Sequence, residues 1–427
     1  MAETVGPNVS PDTFHANFPD ARRLCIAYSG GRDSHALLAL AVARFRDTEI
    51  AVDAVHVNHQ LHPDSARWAD HCETVCQAFG IALEVVTVSV SDRAGDGPEA
   101  AARTSRYRAF ESTLSQGAVL AQAHHADDQA ETLLMRLMRG AGVHGMTGMP
   151  VTRRLGAGWL WRPLLDVSAD ALTRFAHESD LQWIDDPSNA DTRFDRNYVR
   201  QTVMPLLRAR WPQAVRAAGD TARHLADAAS VLDGHLDERL AQTDSQDLLA
   251  CAVLRESSRP EALLLLHRWC RRVLGHAPSR YQLERGLDEV VNAHAEAHPC
   301  LKIGEFTLRR HRDQLYLIPL GRPFDPEHVI EWPVPHGPLH LPDGTLLTSE
   351  SVMADGLAPQ HLSAHWQIRF RQGGESIKLS GRPHAPLKKV LHALGVPPWE
   401  RASKPLLYID GELAWVCGVG LDTRFRG

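Results

Sequence analysis

Lysine is scarce in this sequence. Among 427 residues it occurs five times, at 302, 378, 388, 389 and 404, and the formal net charge is -6. That balance alone argues against general nucleic-acid binding. No apolar run approaches the ~20 residues of a membrane span. Met1 to Asp20 has no basic segment followed by an apolar core, so no signal peptide is expected. The seven cysteines (25, 72, 76, 251, 270, 300, 417) are an odd, scattered set without a Cys-X-X-Cys. Neither a zinc site nor a disulfide framework is indicated, and a reduced, cytoplasmic setting is the expectation. There is no Walker Gly-Lys-Ser/Thr, no Gly-X-Gly-X-X-Gly fingerprint and no HExxH spacing. Internal repeats and low-complexity tracts are also missing.

What is present reads as an ordinary globular chain, 44% hydrophobic and 23% charged, long enough for two or three domains. The few lysines are not spread evenly. Between Trp366 and Lys404 lie Arg369, Arg371, Lys378, Arg382, Lys388, Lys389, Arg401 and Lys404 against Glu375 and Glu400. That stretch carries +6 and leaves -12 for the remainder. Such asymmetry suggests a polyanion-binding module on an acidic enzyme.

From Arg22 to about Ile184 strand and helix patterns alternate. Leu24–Tyr28, Ile50–Val57, Leu83–Val90 and Ala118–Ala121 read as strands. Ala36–Val42, Asp64–Phe79 closed by Gly80, Glu99–Leu114, Asp128–Arg139 capped by Gly140, and Ala169–Ser179 capped by Ser168 read as helices. This alternation predicts an α/β fold, a parallel sheet covered on both faces. From Gln213 to about His298 the composition turns Ala-, Leu- and Arg-rich with helical spacing. Leu301–Ile318 reads as a hairpin, Pro319, Pro323 and Pro326 as a linker, and the rest as short strands around a helix at Leu387–Leu394. The expected domains are 1–212, 213–326 and a small α+β domain at 331–427.

Ser29-Gly30-Gly31-Arg32-Asp33-Ser34 lies between the first strand and a helix start. Such a turn offers free backbone N–H groups and a helix dipole to a phosphate. The glycines allow close approach, Ser29 and Ser34 add hydroxyls, and Asp33 is an oxygen ligand for Mg²⁺. The bland alternative is a plain capped turn. His56-Val57-Asn58-His59 ends the second strand on the same sheet edge, where ligands of such sheets bind. His124-His125-Ala126-Asp127-Asp128-Gln129-Ala130-Glu131 opens a helix after the strand Ala118–Ala121. Asp128 and Glu131 fit a capping box, yet at i, i+3 they also face one pocket suited to an amine. Arg103 and Arg106 stand one turn apart, either as a phosphate or carboxylate fork or as a solvated face. Asp185–Asn189 and Arg196–Arg200 form a polar stretch that, alone, means a loop with caps. Gly381–Leu391 combines basic residues with a helix start, either a phosphate-contacting face or a solvated basic one, and the scarcity of lysine elsewhere favours nucleic acid.

Ser29–Ser34 resembles the PP-loop of N-type ATP pyrophosphatases, which cleave ATP between the α- and β-phosphates. With His56–His59, Ala102–Tyr107, His124–Glu131, Met135–Gly142, Arg162–Leu165, Asp186–Asn189, Arg196-Asn197, Leu387–Lys389, Pro397–Arg401 and Pro405–Leu407, the chain resembles the tRNA(Ile)-lysidine synthase family in its long bacterial form. The resemblance implies an adenine nucleotide alpha hydrolase-like catalytic domain, a helical middle domain and a tRNA-binding C-terminal domain. It implies a ligase that adenylates carbon 2 of the wobble cytidine in a CAU-anticodon isoleucine tRNA and joins L-lysine to it, releasing AMP and pyrophosphate. It further implies ATP held by Ser29, Gly30, Gly31, Arg32, Asp33, Ser34 and His56, with Mg²⁺ on Asp33. Asp33, His125, Asp128 and Glu131 are then catalytic, and Asp128 and Glu131 hold the lysine amine. Arg103, Arg106 and Arg196 are candidates for its carboxylate or for phosphate, and Lys388 and Lys389 for the tRNA. A homodimer stays open as the assembly. A tRNA 2-thiolation enzyme would share the loop but show paired reactive cysteines, and Cys72 and Cys76 are expected on a helix away from the sheet edge. A non-catalytic RNA-binding protein would have lost Asp33 or the serines, and an amidotransferase ligase would need a glutaminase or another C-terminal domain.

Overall fold

The computed structural model describes residues 6–60, 62–89, 98–242, 247–294, 297–320, 325–334, 337–342, 344–349 and 356–427. Met1, Val90 and Pro323, named above, lie outside them, as do the side chains of 98–100. The chain divides into two compact units, Met1–Leu232 and Asp233–Gly427.

In the first unit a short helix α1 (Pro11–Asn17) precedes β1 (Arg23–Ala27), α2 (Arg32–Phe45), β2 (Ala51–Asn58), α3 (Ser65–Phe79), β3 (Leu83–Thr87), α4 (Pro98–Thr113), β4 (Val119–Ala121) and α5 (Ala126–Met138). Then come β5 (Thr152–Leu155), β6 (Gly158–Trp161) and α6 (Ala169–Glu178). The sheet order is β3-β2-β1-β4-β6-β5, parallel except for β5, which pairs antiparallel with β6. The chain winds from β1 outward to β3 and then returns to β4 on the other side of β1. The carboxyl ends of β1 and β4 therefore flank the switch point, the usual crevice for a ligand.

Apolar side chains explain the layering. Leu24 and Ile26 of β1 point into one core with Leu37, Leu38 and Leu40 of α2, Cys72 and Cys76 of α3 and Leu172 of α6. Cys25 alternates to the other face and meets Val55, Leu120, Phe110 of α4 and Leu114 just beyond it. Gly80 closes α3 at φ +71, and the Ser168 hydroxyl accepts the Ala171 N–H to start α6.

The stretch read as a polar loop is helical. Asp195–Tyr198 (α7) runs through a five-residue π turn, Val199–Val203, into α8 (Met204–Arg210). Asp186 caps the preceding turn at the Ser188 N–H, and Asn197 Nδ2 donates to the carbonyls of Ser188 and Asp191. These bonds pin the turn against the helix, so the caps are real and the loop assignment was too broad.

Helix α9 (Ala214–Ala241) carries the chain across the division. The second unit holds α10 (Cys251–Glu256), α11 (Arg259–Leu274) and α12 (Arg280–Arg285). The expected hairpin at 301–318 is instead a three-strand meander, Cys300–Ile303, Phe306–His311 and Gln314–Pro319. Gly304 at φ +57 allows its first turn and Arg312-Asp313, both at positive φ, its second. A five-stranded antiparallel sheet follows in the order 330–332, 366–369, 406–409, 412–416, 420–421. The helix Leu387–Ala393 buries Leu387, Val390 and Leu391 and leaves Lys388 and Lys389 exposed.

Candidate active site

The loop 29–34 is held by its own serines. The Ser34 hydroxyl donates to the Gly31 carbonyl (2.9 Å) and lies 3.0 Å from Ser29 Oγ, and the Gly31 N–H reaches Ser29 Oγ at 3.4 Å. No side chain caps α2, whose first residues, Arg32 and Asp33, thus offer their N–H groups to an anion. Gly30 sits at φ +83, and a Cβ there would stand 2.9 Å from Ile184 Cδ1 and 3.1 Å from Cys72 Sγ. Gly30→Ala is expected to cost about 1–2 kcal/mol of stability and to weaken nucleotide binding. Thermal melting and equilibrium dialysis of ATP check this; an unchanged melting temperature would refute the strain.

Cys72 corrects the sequence reading. It is not away from the sheet edge but beneath this loop, 3.4 Å from His56 Nδ1. His56 is buried and its Nδ1 lies 3.0 Å from the Tyr28 carbonyl, so it buttresses the loop from below. Burial lowers the His56 pKa, against the Tyr28 carbonyl, and pushes the Cys72 and Cys76 thiols up to about 12 and about 11. These thiols are protonated packing groups at neutral pH, unlike a thiolation enzyme's reactive pair.

Beside the loop, His125 links three carboxylates. Its Nε2 is 3.6 Å from Asp33 Oδ2 and 3.5 Å from Asp128 Oδ2, and its Nδ1 is 3.6 Å from Asp127 Oδ2. Burial alone would raise the Asp33 pKa, but His125 and Arg32 outweigh it and lower it. Asp127 is structural: it accepts the Ala169 N–H that begins α6 and pairs with Arg208 of α8.

The capping box is shifted from the expected one. Helix α5 begins at Ala126, and Asp128 accepts the His125 N–H at 3.1 Å. Glu131 therefore has no capping role, although it is 2% exposed. It and Asp128 are held by two arginines. Arg196 reaches Asp128 Oδ1 at 2.8 Å and Glu131 Oε2 at 3.1 Å. Arg200 reaches Glu131 Oε1 at 2.7 Å and Asp128 Oδ1 at 2.8 Å. Burial opposes ionisation of Asp128, yet His125, Arg196, His124 and Arg200 hold its pKa at about 2. Sequence reasoning singled out Arg196 and missed Arg200. Its i, i+4 spacing from Arg196 was the available signal, hidden by the loop assignment.

His124 Nδ1 accepts from Arg162 Nε at 3.1 Å. Burial lowers its pKa to about 3, so it is a neutral imidazole. Arg106 Nε donates to His59 Nε2 at 3.2 Å, and Arg103 lies over the Tyr107 ring, its Cζ 5.1 Å from the centroid. The structure thus brings Asp33, His125, Asp128, Glu131 and Arg196 together, with Arg103 and Arg106 at the same sheet edge. Lys388 and Lys389 belong to the other unit.

A turn with uncapped helix N–H groups at the switch point of a parallel sheet suits a nucleotide phosphate, and a family model for the PP-loop domain matches residues 8–207, which makes the chain an ATP-dependent PP-loop enzyme. Two further models match, the TilS substrate binding domain at 249–316 and the TilS substrate C-terminal domain at 366–427. The chain is 37% identical to a tRNA(Ile)-lysidine synthase of Methylococcus capsulatus, over 98% of this chain and 97% of that one. It is 38% identical to the same enzyme of Alkalilimnicola ehrlichii (100% and 96%) and 40% identical to that of Xanthomonas axonopodis pv. citri (90% and 86%). The chain belongs to the tRNA(Ile)-lysidine synthase family, ATP-dependent ligases that form lysidine on tRNA(Ile). No helix among the described residues is long and apolar enough to cross a membrane.

Proposed function

We propose that this chain joins L-lysine to carbon 2 of the wobble cytidine of a CAU-anticodon isoleucine tRNA, at the carboxyl ends of β1 and β4. The supporting observation is one contiguous cluster: His125 lies between Asp33 and Asp128, and Arg196 and Arg200 join Asp128 to Glu131. In the first step the cytosine O2 attacks the α-phosphate of ATP, the bond to pyrophosphate breaks, and the O2 becomes adenylated. The loop 29–34 and the α2 N-terminus balance charge on the departing pyrophosphate. Among the described residues no three His, Cys, Asp or Glu side chains could cage a metal by themselves. Mg²⁺ bound through phosphates needs only one or two carboxylates, and the third-exposed Asp33 fits that requirement. The ion would supply charge neutralisation on the phosphates.

In the second step the deprotonated lysine side-chain amine attacks carbon 2, the carbon–oxygen bond breaks and AMP departs. With its side-chain amine deprotonated, lysine brings one ammonium, on its α-carbon, and one carboxylate to the neutral quartet of Asp128, Glu131, Arg196 and Arg200. The balance is kept if the ammonium takes Asp128 and Glu131 and its carboxylate takes an arginine they release, Arg196 or Arg200. His125 positions Asp33 relative to that pair. Incubation with ATP, labelled lysine and bulk tRNA tests the whole reading, with lysidine, AMP and pyrophosphate expected in equal amounts. ADP and inorganic phosphate would overturn it.

The exposed Lys388 and Lys389 are assigned to the tRNA body. Lys388→Ala with Lys389→Ala is expected to weaken tRNA binding and to flatten its salt dependence by about one unit of slope per lost contact. ATP binding should stay at the parent value. Unchanged affinity and slope would make this face merely solvated and move recognition to residues 213–326. These assignments fit a cytoplasmic enzyme and a catalytic domain over residues 1–212, followed by 213–326 and 331–427.

A further inference from the structure

Five arginines lie along the carboxyl edge of the sheet, from Arg106 beside His59 just past β2 to Arg162 just past β6. Arg103 and Arg106 lie near the start of α4, Arg136 on α5, Arg153 on β5 and Arg162 just beyond β6. Three of them converge on one ring: the Cζ atoms of Arg103 and Arg153 lie 5.1 and 4.9 Å from the Tyr107 centroid, and Arg162 Nη2 is 3.5 Å from its hydroxyl. Their hydrogen-bond partners are neutral. Arg162 donates to His124 Nδ1 and the Pro150 carbonyl, Arg136 to the Gly145 and Gly148 carbonyls, Arg153 to the Arg154 carbonyl and Arg106 to His59. Among the described residues none of the five pairs with a carboxylate, in contrast to Arg196 and Arg200.

Five guanidinium charges with no carboxylate partner among the described residues repel one another, and burial worsens that. Burial and the neighbouring Arg103 lower the pKa of Arg106 and Arg136; burial, then Arg153 and Arg103, lower that of Arg162. Neutral acceptors fix the directions of the side chains but leave the charge for a ligand. The triphosphate has its own cradle in the loop 29–34, on the face that α2 and α3 cover. The basin lies where α4 covers the opposite face. A base reacting between the two would carry its own backbone toward the basin.

We propose that this basin grips the phosphodiesters flanking the target nucleotide, with Arg153 as a positioning residue that sequence motifs did not point to. Arginine suits this because its planar fork can stack on Tyr107 while donating to a phosphate. The proposal rests on the tRNA-modifying reading above. The test uses the full chain and a CAU anticodon hairpin RNA, with binding measured across a salt series, and ATP binding measured separately. Arg153→Ala is expected to raise the hairpin Kd about five- to tenfold and to lower the salt slope by about 0.9, with ATP affinity unchanged. Arg153→Lys should restore most of the slope, because the charge returns, and this separates charge from packing if the alanine variant melts early. A higher ATP Kd with unchanged hairpin binding would make the anion the triphosphate and overturn the proposal. Equal hairpin binding by parent and both variants would make the cluster packing only and also overturn it. Failure of the tRNA-modifying reading looks different: the parent would then form no lysidine from bulk tRNA.

Discussion

Asp33→Ala is expected to slow lysidine formation about 10²–10³-fold, the usual loss when one preorganised electrostatic group is removed. Asp33 stands at the second position of α2, a third exposed, with Oδ2 toward His125 and Oδ1 held by Arg32 at 2.9 Å. The fold is expected to survive, because the side chain caps nothing and packs in no core. The loss should fall on the first step. Pyrophosphate release in a single turnover with saturating tRNA should slow as much as lysidine formation does. Asp33→Asn should be nearly as slow, since the amide keeps the shape and loses the charge. If pyrophosphate appears at the parent rate while lysidine does not, Asp33 acts on the second step and its assignment to the phosphates is wrong.

The parts legible in sequence are those written in local pattern. Strand and helix periods alternate over contiguous windows, so the parallel sheet and its helices could be read directly. The phosphate-binding turn was legible because its chemistry sits in six consecutive residues. What escaped depends on contacts between distant segments. Arg200 meets Glu131 across 69 positions, and Arg162 meets Tyr107 across 55. Cys72 reaches the loop only because α3 packs back over β2 and β3. The Thr152–Trp161 hairpin has four-residue strands, too short for a period to show. The helix 195–210 was masked by its polar start and by the π turn, which breaks the 3.6-residue spacing. Helix capping offered a sufficient local reason for Asp128 and Glu131, and only the folded geometry separates the two: Asp128 caps while Glu131 does not.

That separation makes Glu131→Gln the sharper test of the amine pocket. Glu131 is buried, and its two oxygens receive both Arg196 and Arg200. The amide keeps one acceptor, loses the charge and turns an N–H₂ toward a guanidinium. Breaking a fully buried pair costs about 3–5 kcal/mol, but Arg196 and Arg200 retain 24% and 40% of their side-chain exposure. Water therefore screens part of the loss, and about 1–3 kcal/mol is expected, a fall of several degrees in the melting temperature of this unit. The effect on substrate should be larger and selective. An ammonium facing one carboxylate instead of two should raise the KM for lysine about 10–100-fold, while the KM for ATP stays within a few-fold. A variant that only melts earlier, with lysine KM unchanged, would show that the quartet is structural and that lysine binds elsewhere. Acid provides an independent check on the same quartet. Asp128 titrates at about 2 in the folded protein against an ordinary 3.8. Its contribution, about 2 kcal/mol at 1.36 kcal/mol per pKa unit, is fully present above pH ~4 and drains away as the pH falls toward 2. Removing Arg196 and Arg200 together should bring that Asp128 pKa back up. The double variant should then lose less stability between pH 4 and pH 2 than the parent does; an equal loss would show that His125, the largest of the lowering influences, holds Asp128 down by itself.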